Sequence, residues 1–287
     1  MKFSRIAKSL DVHVAGWPLR VLFDAPEHRE VESLSGKALR LWEGERSALR
    51  WLQHEPRGHT AMRIGVVTSS RIGDYGLMIF DSAGPCLVDG MDALGAAWAL
   101  TESGLLANTA GIMFETESGS IAVGSVDEEK RRSAVCRLLL SELDAYTVVR
   151  ASDVGLSLQP HNAYEIEQYM GSCEDGGGAA LLAEERDGSE WVLAAMGRDG
   201  CLFRAPNRIA IGAMLSKLRA EGANVDVPHR FIGLAGGAVE CIVLSADHIG
   251  YGNEELVWTL TASARLIASC EFILDPQDAL GEGFLLR

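Results

Sequence analysis

The amino-acid sequence predicts a mixed α and β protein in which strands dominate and two similar halves follow one another. Three observations support this prediction. Short apolar runs rich in β-branched residues recur along the chain, a few segments have helical spacing, and one order of elements occurs twice. The chain has 287 residues, 47% of them hydrophobic, which is enough for two medium-sized domains with substantial cores.

The predicted strands are apolar runs of strand length, and most of them have turn residues nearby. They are Arg20–Phe23, Arg63–Thr68, Gly76–Phe80, Gly119–Val126, Tyr146–Val149, Glu190–Met196, Glu240–Leu244 and Glu271–Leu274. Between them, the segments Ser47–Gln53 and Asn162–Met170 have the apolar spacing of helices, and His161 or Asn162 is placed to cap the second.

The repeated order of elements is the basis for predicting two halves. From Gly76 to Gly104 the sequence reads strand, polar turn, apolar helix and glycine, and the stretch from Trp191 to Gly222 has a similar order. The helix in the first stretch is apolar nearly all round from Ala93 to Leu100, which is typical of a helix buried on every side.

We therefore predict two central helices, at residues 92–103 and 208–221, and Asn207 is placed to cap the second. The predicted N-terminal half consists of residues 1–125 together with residues 275–287. The predicted C-terminal half consists of residues 126–274.

The net charge of −14 opposes binding to nucleic-acid backbones and to anionic membranes. The N-terminal region has no apolar core of signal-peptide length, so we expect a cytoplasmic protein with neither nucleic acid nor membrane as a partner. The six cysteines have no CxxC spacing and the seven histidines do not cluster, so no metal site is predicted.

Four stretches resemble one protein family along the length of the chain. DVHVAGWPLR (Asp11–Arg20) is similar to an opening D-A-H-x-x-G-E-P-x-R pattern, and EPRGHTAM (Glu55–Met62) to an E-P-R-G-H segment. VRASDVGLSLQPHN (Val149–Asn162) fits a middle strand-to-helix passage, and LDPQDALGEGFLL (Leu274–Leu286) is similar to a closing L-D-P-x-D-P-x-x-E-G-F. The family is that of the proline racemases, with hydroxyproline epimerases and related dehydratases.

The resemblance implies a fold, a site and a chemistry. The implied fold is the diaminopimelate epimerase-like one, with two halves that are each a curved, mostly antiparallel sheet wrapped around a central helix, and with the site between them. In active members one cysteine stands at the start of each central helix. One thiolate removes the α-proton of a cyclic amino acid, and the other thiol delivers a proton to the opposite face. The reaction needs no cofactor.

This sequence departs from the family pattern at both cysteine positions. The family motifs M-C-G-H-G and D-R-S-P-C-G-T-G-T align so that Asp89 takes the place of the first cysteine and Asn207 that of the second. An amide does not exchange a proton near neutral pH, so two-thiol racemisation is not expected.

Other positions that the resemblance assigns to substrate binding have also changed. Around the first motif Gly90 is kept, whereas Met91 replaces a histidine and Asp92 a glycine. Around the second motif Phe203 replaces the substrate-binding aspartate and Arg208 a glycine.

Two further positions complete this comparison. Trp17 stands where the opening pattern has glutamate. His59 keeps the family's histidine, either as a substrate contact or as a residue that orders its loop.

Two interpretations of Asp89 remain open. As a single general base, Asp89 would serve an isomerisation, an elimination or a cyclisation of a small cyclic or amino-acid-derived carboxylate, with Asn207 and Arg208 holding or polarising the substrate. As a structural residue, it would bond free N–H groups at the start of the helix, although Asp92 is the better N-cap by position. Phenazine-type isomerases, which share the fold and use carboxylates, offer an analogy for the first interpretation.

The alternative to an isomerase- or lyase-like enzyme is a catalytically silent homologue that binds a small ligand or a partner protein. Cys86 and Cys201 offer a further option, in which they form a shifted pair of catalytic thiols. The other interpretation is that both are small buried hydrophobic residues. A homodimer is left open by the sequence.

Overall fold

The chain divides into two units, each of which contains a β-sheet and one long central helix. The first unit comprises Met1–Val14, Pro18–Ser125 and Ala264–Arg287, and the second Ala15–Trp17 and Val126–Ser263. The computed structural model describes residues 5–23, 33–44, 46–107, 110–126, 131–143, 146–172, 179–196, 202–244, 255–275, 277–278 and 284.

The elements of the first unit alternate between strands and helices. They are β1 (Arg5–Val14), β2 (Trp17–Phe23), α1 (Leu34–Gly44), α2 (Arg46–Gln53), β3 (Arg63–Thr68), β4 (Tyr75–Asp81), β5 (Gly84–Cys86), α3 (Gly90–Glu102), β6 (Ile112–Thr116), β7 (Gly119–Ser125) and, from the far end of the chain, β16 (Ala264–Leu274). The strand order is β16-β1-β2-β3-β4-β6-β7, with β5 paired to β4. Strands β2 and β3 are parallel, β3 and β4 antiparallel, β4 and β6 parallel, and β6 and β7 antiparallel.

The second unit repeats this arrangement. Its elements are β8 (Arg132–Leu139), α4 (Leu140–Leu143), β9 (Tyr146–Arg150), α5 (Ala163–Ser172), β10 (Ala179–Asp187), β11 (Glu190–Met196), β12 (Leu202–Phe203), α6 (Arg208–Ala220), β13 (His229–Gly233), β14 (Ala238–Val243) and β15 (Glu255–Ala262), with short 3₁₀ helices at Ala151–Val154 and Pro160–Asn162. The strand order is β8-β15-β14-β13-β11-β10-β9, with β12 paired to β11.

Pairing directions show that the two units have one design. The series β9, β10, β11, β13, β14 runs parallel, antiparallel, parallel, antiparallel, as does the series β2, β3, β4, β6, β7. In both series the central helix follows a short strand paired to the third member. The predicted mixed α and β class with a repeated order of elements is confirmed.

The division into units differs from the predicted halves at Ala15–Trp17, which belong to the second unit, and at one strand. Residues 264–274 were predicted in the C-terminal half, but β16 pairs antiparallel with β1 from Arg5 opposite Leu274 to Val14 opposite Ala264 and belongs to the first unit. The pairing joins strands from opposite ends of the chain, so no local pattern reveals it.

Both central helices lie close to the predicted bounds and pack through a glycine. A Cβ at Gly95 of α3 would lie 3.0 Å from the side chain of Leu19, and one at Gly212 of α6 would lie 3.1 Å from Leu138. A side chain at either position would require these leucine side chains to shift by a few tenths of an ångström. Helix α6 ends at the predicted glycine, because Gly222 has the left-handed φ of +82° that favours glycine after a helix.

A buried ion pair fixes the first two strands of the first unit. Asp11 of β1 and Arg20 of β2 are both about 5% exposed or less, and they form a two-pronged contact, with Nε–Oδ1 at 2.9 Å and Nη2–Oδ2 at 2.7 Å. The Arg20 Nη1 atom donates to the carbonyl oxygens of Leu52 and Arg57, and its guanidinium lies 4.3 Å from the ring centroid of Phe272. Each nitrogen of the guanidinium therefore has a partner despite its burial.

The same region gathers three of the four family-like stretches. The backbone of Glu55 exchanges two hydrogen bonds with Phe284, at 3.0 and 3.1 Å. The Arg57 guanidinium lies 3.7 Å from a carboxylate oxygen of Asp278. The opening, E-P-R-G-H and closing motifs thus meet in one network within the first unit, which gives them an architectural role.

Replacing Arg20 by methionine will destabilise the protein by about 3 to 5 kcal/mol, because the buried Asp11 carboxylate and two carbonyl groups lose their partner. The free energy of unfolding from urea denaturation measures this change. Lys8→Met is the matched control on the same strand, since Lys8 pairs with Glu271 with side chains 77% and 52% exposed, and it should cost less than about 1 kcal/mol. Equal effects of the two substitutions would contradict the role of Arg20.

Candidate functional site

Helix α3 begins with a reciprocal capping box made by two carboxylates. Asp89 is the N-cap, and its Oδ1 accepts a 3.0 Å hydrogen bond from the Asp92 backbone N–H. The Asp92 Oδ2 accepts a 3.0 Å bond from the Asp89 N–H. The expectation that Asp92 is the N-cap was therefore wrong: the D-x-x-D spacing of a capping box puts the second carboxylate at the third helical position. The helix accordingly begins at Gly90, not at residue 92.

Arg63, the first residue of β3, joins these carboxylates and was not among the residues predicted from the sequence. Its Nη1 lies 2.7 Å from Asp92 Oδ2 and 3.5 Å from Asp89 Oδ2. Its Nη2 donates to the carbonyl oxygen of Leu87 at 3.0 Å and to the sulfur of Cys86 at 2.9 Å. The only sequence signal was a cation at the edge of an otherwise apolar strand.

The charges at this site interact strongly. Burial alone would lower the pKa of Arg63, but the carboxylates of Asp92 and Asp89 outweigh burial and raise the pKa, so the guanidinium stays protonated. Two carboxyl groups thus share one guanidinium. The Asp92 side chain is fully buried, whereas that of Asp89 keeps 10% of its surface exposed, so Asp89 is the more accessible of the two carboxyl groups.

Cys86 does not supply a reactive thiolate at neutral pH. Burial raises the pKa of its thiol to about 12, and the neighbouring Arg63 offsets burial only in part. A thiol with this pKa is a weak nucleophile and a poor base near pH 7. Cys201, the other member of the alternative thiol pair, lies outside the described residues.

Asn207 is the N-cap of helix α6, as predicted. The Asn207 Oδ1 accepts a 2.8 Å hydrogen bond from the Ala210 backbone N–H. The Arg208 guanidinium contacts two residues of the second unit. It donates to the carbonyl oxygen of Arg137 at 3.3 Å and lies 3.7 Å from a carboxylate oxygen of Glu142. Pairing of Arg208 with a substrate carboxylate stays a prediction.

Two of the positions that depart from the family pattern touch each other. The rings of Trp17 and Phe203 have their centroids 5.9 Å apart and are tilted by 37°, a geometry favourable for aromatic pairs. Phe203 ends β12, opposite Ala195 of β11. Both side chains are half-buried.

The other predicted residues fall into two groups. Gly90, Met91 and Asp92 form the first turn of α3, and all three are buried. His59 lies exposed in the loop before β3, where its carbonyl oxygen accepts a hydrogen bond from the Met62 N–H at 2.8 Å. In the part of the chain that the structure describes, no group of three His, Cys, Asp or Glu side chains is placed to hold a metal ion.

Among the described residues, no helix combines the length and the apolar character that crossing a bilayer requires.

No protein-family model matches the chain. Over its full length it is 25% identical to a trans-3-hydroxy-L-proline dehydratase of Bacillus cereus and 22% identical to a proline racemase of Clostridioides difficile, and the whole of each relative is covered. Over 108 residues it is 31% identical to a proline racemase of Acetoanaerobium sticklandii, a stretch that spans 37% of this chain and 32% of that relative. The predicted resemblance to the proline racemase family is confirmed.

Solved structures confirm the fold. A hydroxyproline epimerase of Agrobacterium vitis with bound trans-4-OH-L-proline has a TM-score of 0.79 at 18% identity, over 100% of this chain and 96% of that one. A phenazine biosynthesis protein of the PhzF family from Bacillus anthracis has a TM-score of 0.63 at 14% identity, over 93% and 99%. The fold is the diaminopimelate epimerase-like one that the sequence predicted.

Alkylation of Cys86 by iodoacetamide at pH 8 will be about 1,000-fold slower in the folded protein than in denaturant, because each unit of raised pKa lowers the thiolate fraction about tenfold. Peptide mass spectrometry measures the rate, which should rise with pH up to about 12. The half-buried Cys270 is the internal reference for reagent access. Alkylation of Cys86 as fast as in denaturant would refute its protonated state.

Proposed function

We propose that this chain catalyses a single-base proton transfer, as an isomerase-, lyase- or cyclase-type enzyme acting on a small cyclic or amino-acid-derived carboxylate, with Asp89 as the base. The observation that carries the proposal is the Asp89 carboxylate at the start of α3. One oxygen is held by the capping box, and the other lies towards Arg63 on a side chain that keeps some exposure. Such a carboxylate is held in a defined position and keeps a small exposed fraction.

Arg63 supports this role by orientation. Its guanidinium is itself fixed by the Leu87 carbonyl and by Asp92, so the Asp89 carboxylate meets a positive charge at a defined place. A base held in one orientation loses little entropy when it meets its substrate. The proposed chemistry uses acid–base groups of the chain and needs no cofactor.

The names of the relatives support the reaction class. They include racemases, an epimerase and dehydratases. Racemisation needs a second proton carrier for the opposite face, and Asn207 is an amide that cannot provide one. Elimination or a proton shift can proceed with one base, so these reactions suit the residues present.

A second candidate function is supported by the same contacts. The capping box and the ion pair with Arg63 are also what a purely structural aspartate makes at a helix start. The chain would then be a catalytically silent homologue that binds a small ligand or a partner protein. The two candidates differ in whether α-protons of bound ligands exchange.

Incubation in heavy water with L-proline, trans-4-hydroxy-L-proline and trans-3-hydroxy-L-proline will lead to α-deuteration or loss of water from at least one of them, measured by proton NMR. In Asp89→Asn the rate should fall at least about 100-fold, because the amide cannot accept the proton. Asparagine caps helices as well as aspartate does, so this variant keeps its fold.

Glu102→Gln, at the exposed far end of α3, is the matched control and should keep the wild-type rate. Exchange that persists in Asp89→Asn would eliminate Asp89 as the base. Binding of these compounds by the wild type without any exchange would favour the silent homologue.

A further inference from the structure

The turn between β6 and β7 brings a third carboxyl group to the start of α3. The Glu117 Oε1 accepts a hydrogen bond of 3.1 Å from the backbone N–H of Val88, the residue before Asp89. Because each residue advances the chain by at most about 3.6 Å, this oxygen lies close to the Asp89 backbone. The structure thus places Glu117 beside the proposed base, although the two are far apart in the sequence.

The turn that carries Glu117 is fixed by Thr116, whose side chain is buried. The Thr116 Oγ1 donates to the Gly119 carbonyl oxygen at 3.0 Å and accepts from the Ser118 backbone N–H at 3.3 Å. Glu117 itself is exposed, and its Oε2 has no partner among the described residues. One oxygen of this carboxyl group is therefore anchored beside the proposed base, and the other is able to exchange a proton with water.

The corresponding turn of the second unit reaches its central helix without a carboxyl group. Between β13 and β14, the Ala235 N–H donates to the Arg204 carbonyl oxygen at 2.9 Å, just before the N-cap Asn207. Residues 234–237 read LAGG. A backbone contact is thus sufficient to pack such a turn against the segment before the helix, so packing alone does not require a glutamate at position 117.

The other ionisable groups at this helix start are poorly suited to carry a proton from Asp89 to water. Arg63 stays protonated, because the neighbouring carboxylates raise its pKa, so it cannot accept one. Asp92 is fully buried and is bound to Arg63, and burial keeps Cys86 a thiol by raising its pKa to about 12. The Asp89 side chain is only 10% exposed. Glu117 combines exposure with an anchored position at this place.

We infer that Glu117 is a proton relay for Asp89. The proton that Asp89 removes from the α-carbon of its substrate passes to the Glu117 carboxylate, directly or through one water molecule, and from there to bulk water. Both carboxylates are regenerated, so the relay consumes no other reactant. The inference rests on the proposed function, because the relayed proton comes from Asp89.

Exchange of the substrate α-proton with heavy water tests the relay in Glu117→Gln. The glutamine side-chain oxygen can still accept the Val88 N–H, but an amide does not carry a proton near neutral pH. The abstracted proton then returns to the substrate before deuterium replaces it, so α-deuteration of the compounds named above should fall at least about tenfold.

Buffer rescue separates a relay from a structural role. Imidazole at about 100 mM, at constant pH and ionic strength, should restore at least about half of the wild-type rate in Glu117→Gln by taking the proton from Asp89. The wild-type rate should not depend on imidazole, because its relay is internal. A loss of rate caused by a displaced helix start would not respond to imidazole.

Glu115→Gln is the matched control on the same hairpin, because the Glu115 carboxylate is bound to the Ser70 hydroxyl and the Arg71 N–H. It should keep the wild-type rate. An unchanged rate in Glu117→Gln, a loss that imidazole does not restore, or a wild-type rate that rises with imidazole overturns the relay and leaves Asp89 as the base. The wild-type measurement decides by itself if Glu117→Gln does not fold. No exchange by the wild type overturns the relay, and it overturns the base as well where no water is lost.

Discussion

The buried guanidinium of Arg20 is the constraint on which the first unit depends. A buried cation needs a partner for each of its nitrogens, and here Asp11 and the carbonyl groups of Leu52 and Arg57 provide them. These partners lie on β1, at the end of α2 and in the E-P-R-G-H loop, so one side chain fixes the relative positions of three segments. Because this network is architectural, the motifs that contribute to it can persist in a chain whose reactive groups have changed.

Arg63 has a similar structural role at the start of α3, where the proposed base Asp89 lies. A carboxylate at a buried helix start needs hydrogen-bond donors and a counter-charge, and the chain supplies the first through the capping box and the second through Arg63. Cys86 lies in the same group, but burial keeps it a thiol. Proton-accepting capacity at this helix start therefore rests with carboxylates, and this favours single-base chemistry over thiol chemistry.

Four of the residues that depart from the family pattern form two pairs, and the two members of each pair contact each other. Asp89 and Asp92 form reciprocal hydrogen bonds, and the tilted rings of Trp17 and Phe203 contact each other, although the second pair is far apart in the sequence. Each pair lies within one unit, the first at the start of α3 and the second beside β12.

The sequence by itself determined the elements with strong local patterns: β3 and β11 match the predicted runs residue for residue, and Asn207 caps α6 as expected. Alternation of apolar residues and helix capping involve residues only a few positions apart, so the sequence alone reveals them. Only the tertiary structure decided the placement of β16 beside β1, the contact of Arg63 with Asp89 and Asp92, and the pairing of Trp17 with Phe203. These contacts join residues far apart in the chain. Their energy depends on burial and on the relative orientation of the groups, and both arise only when the chain folds.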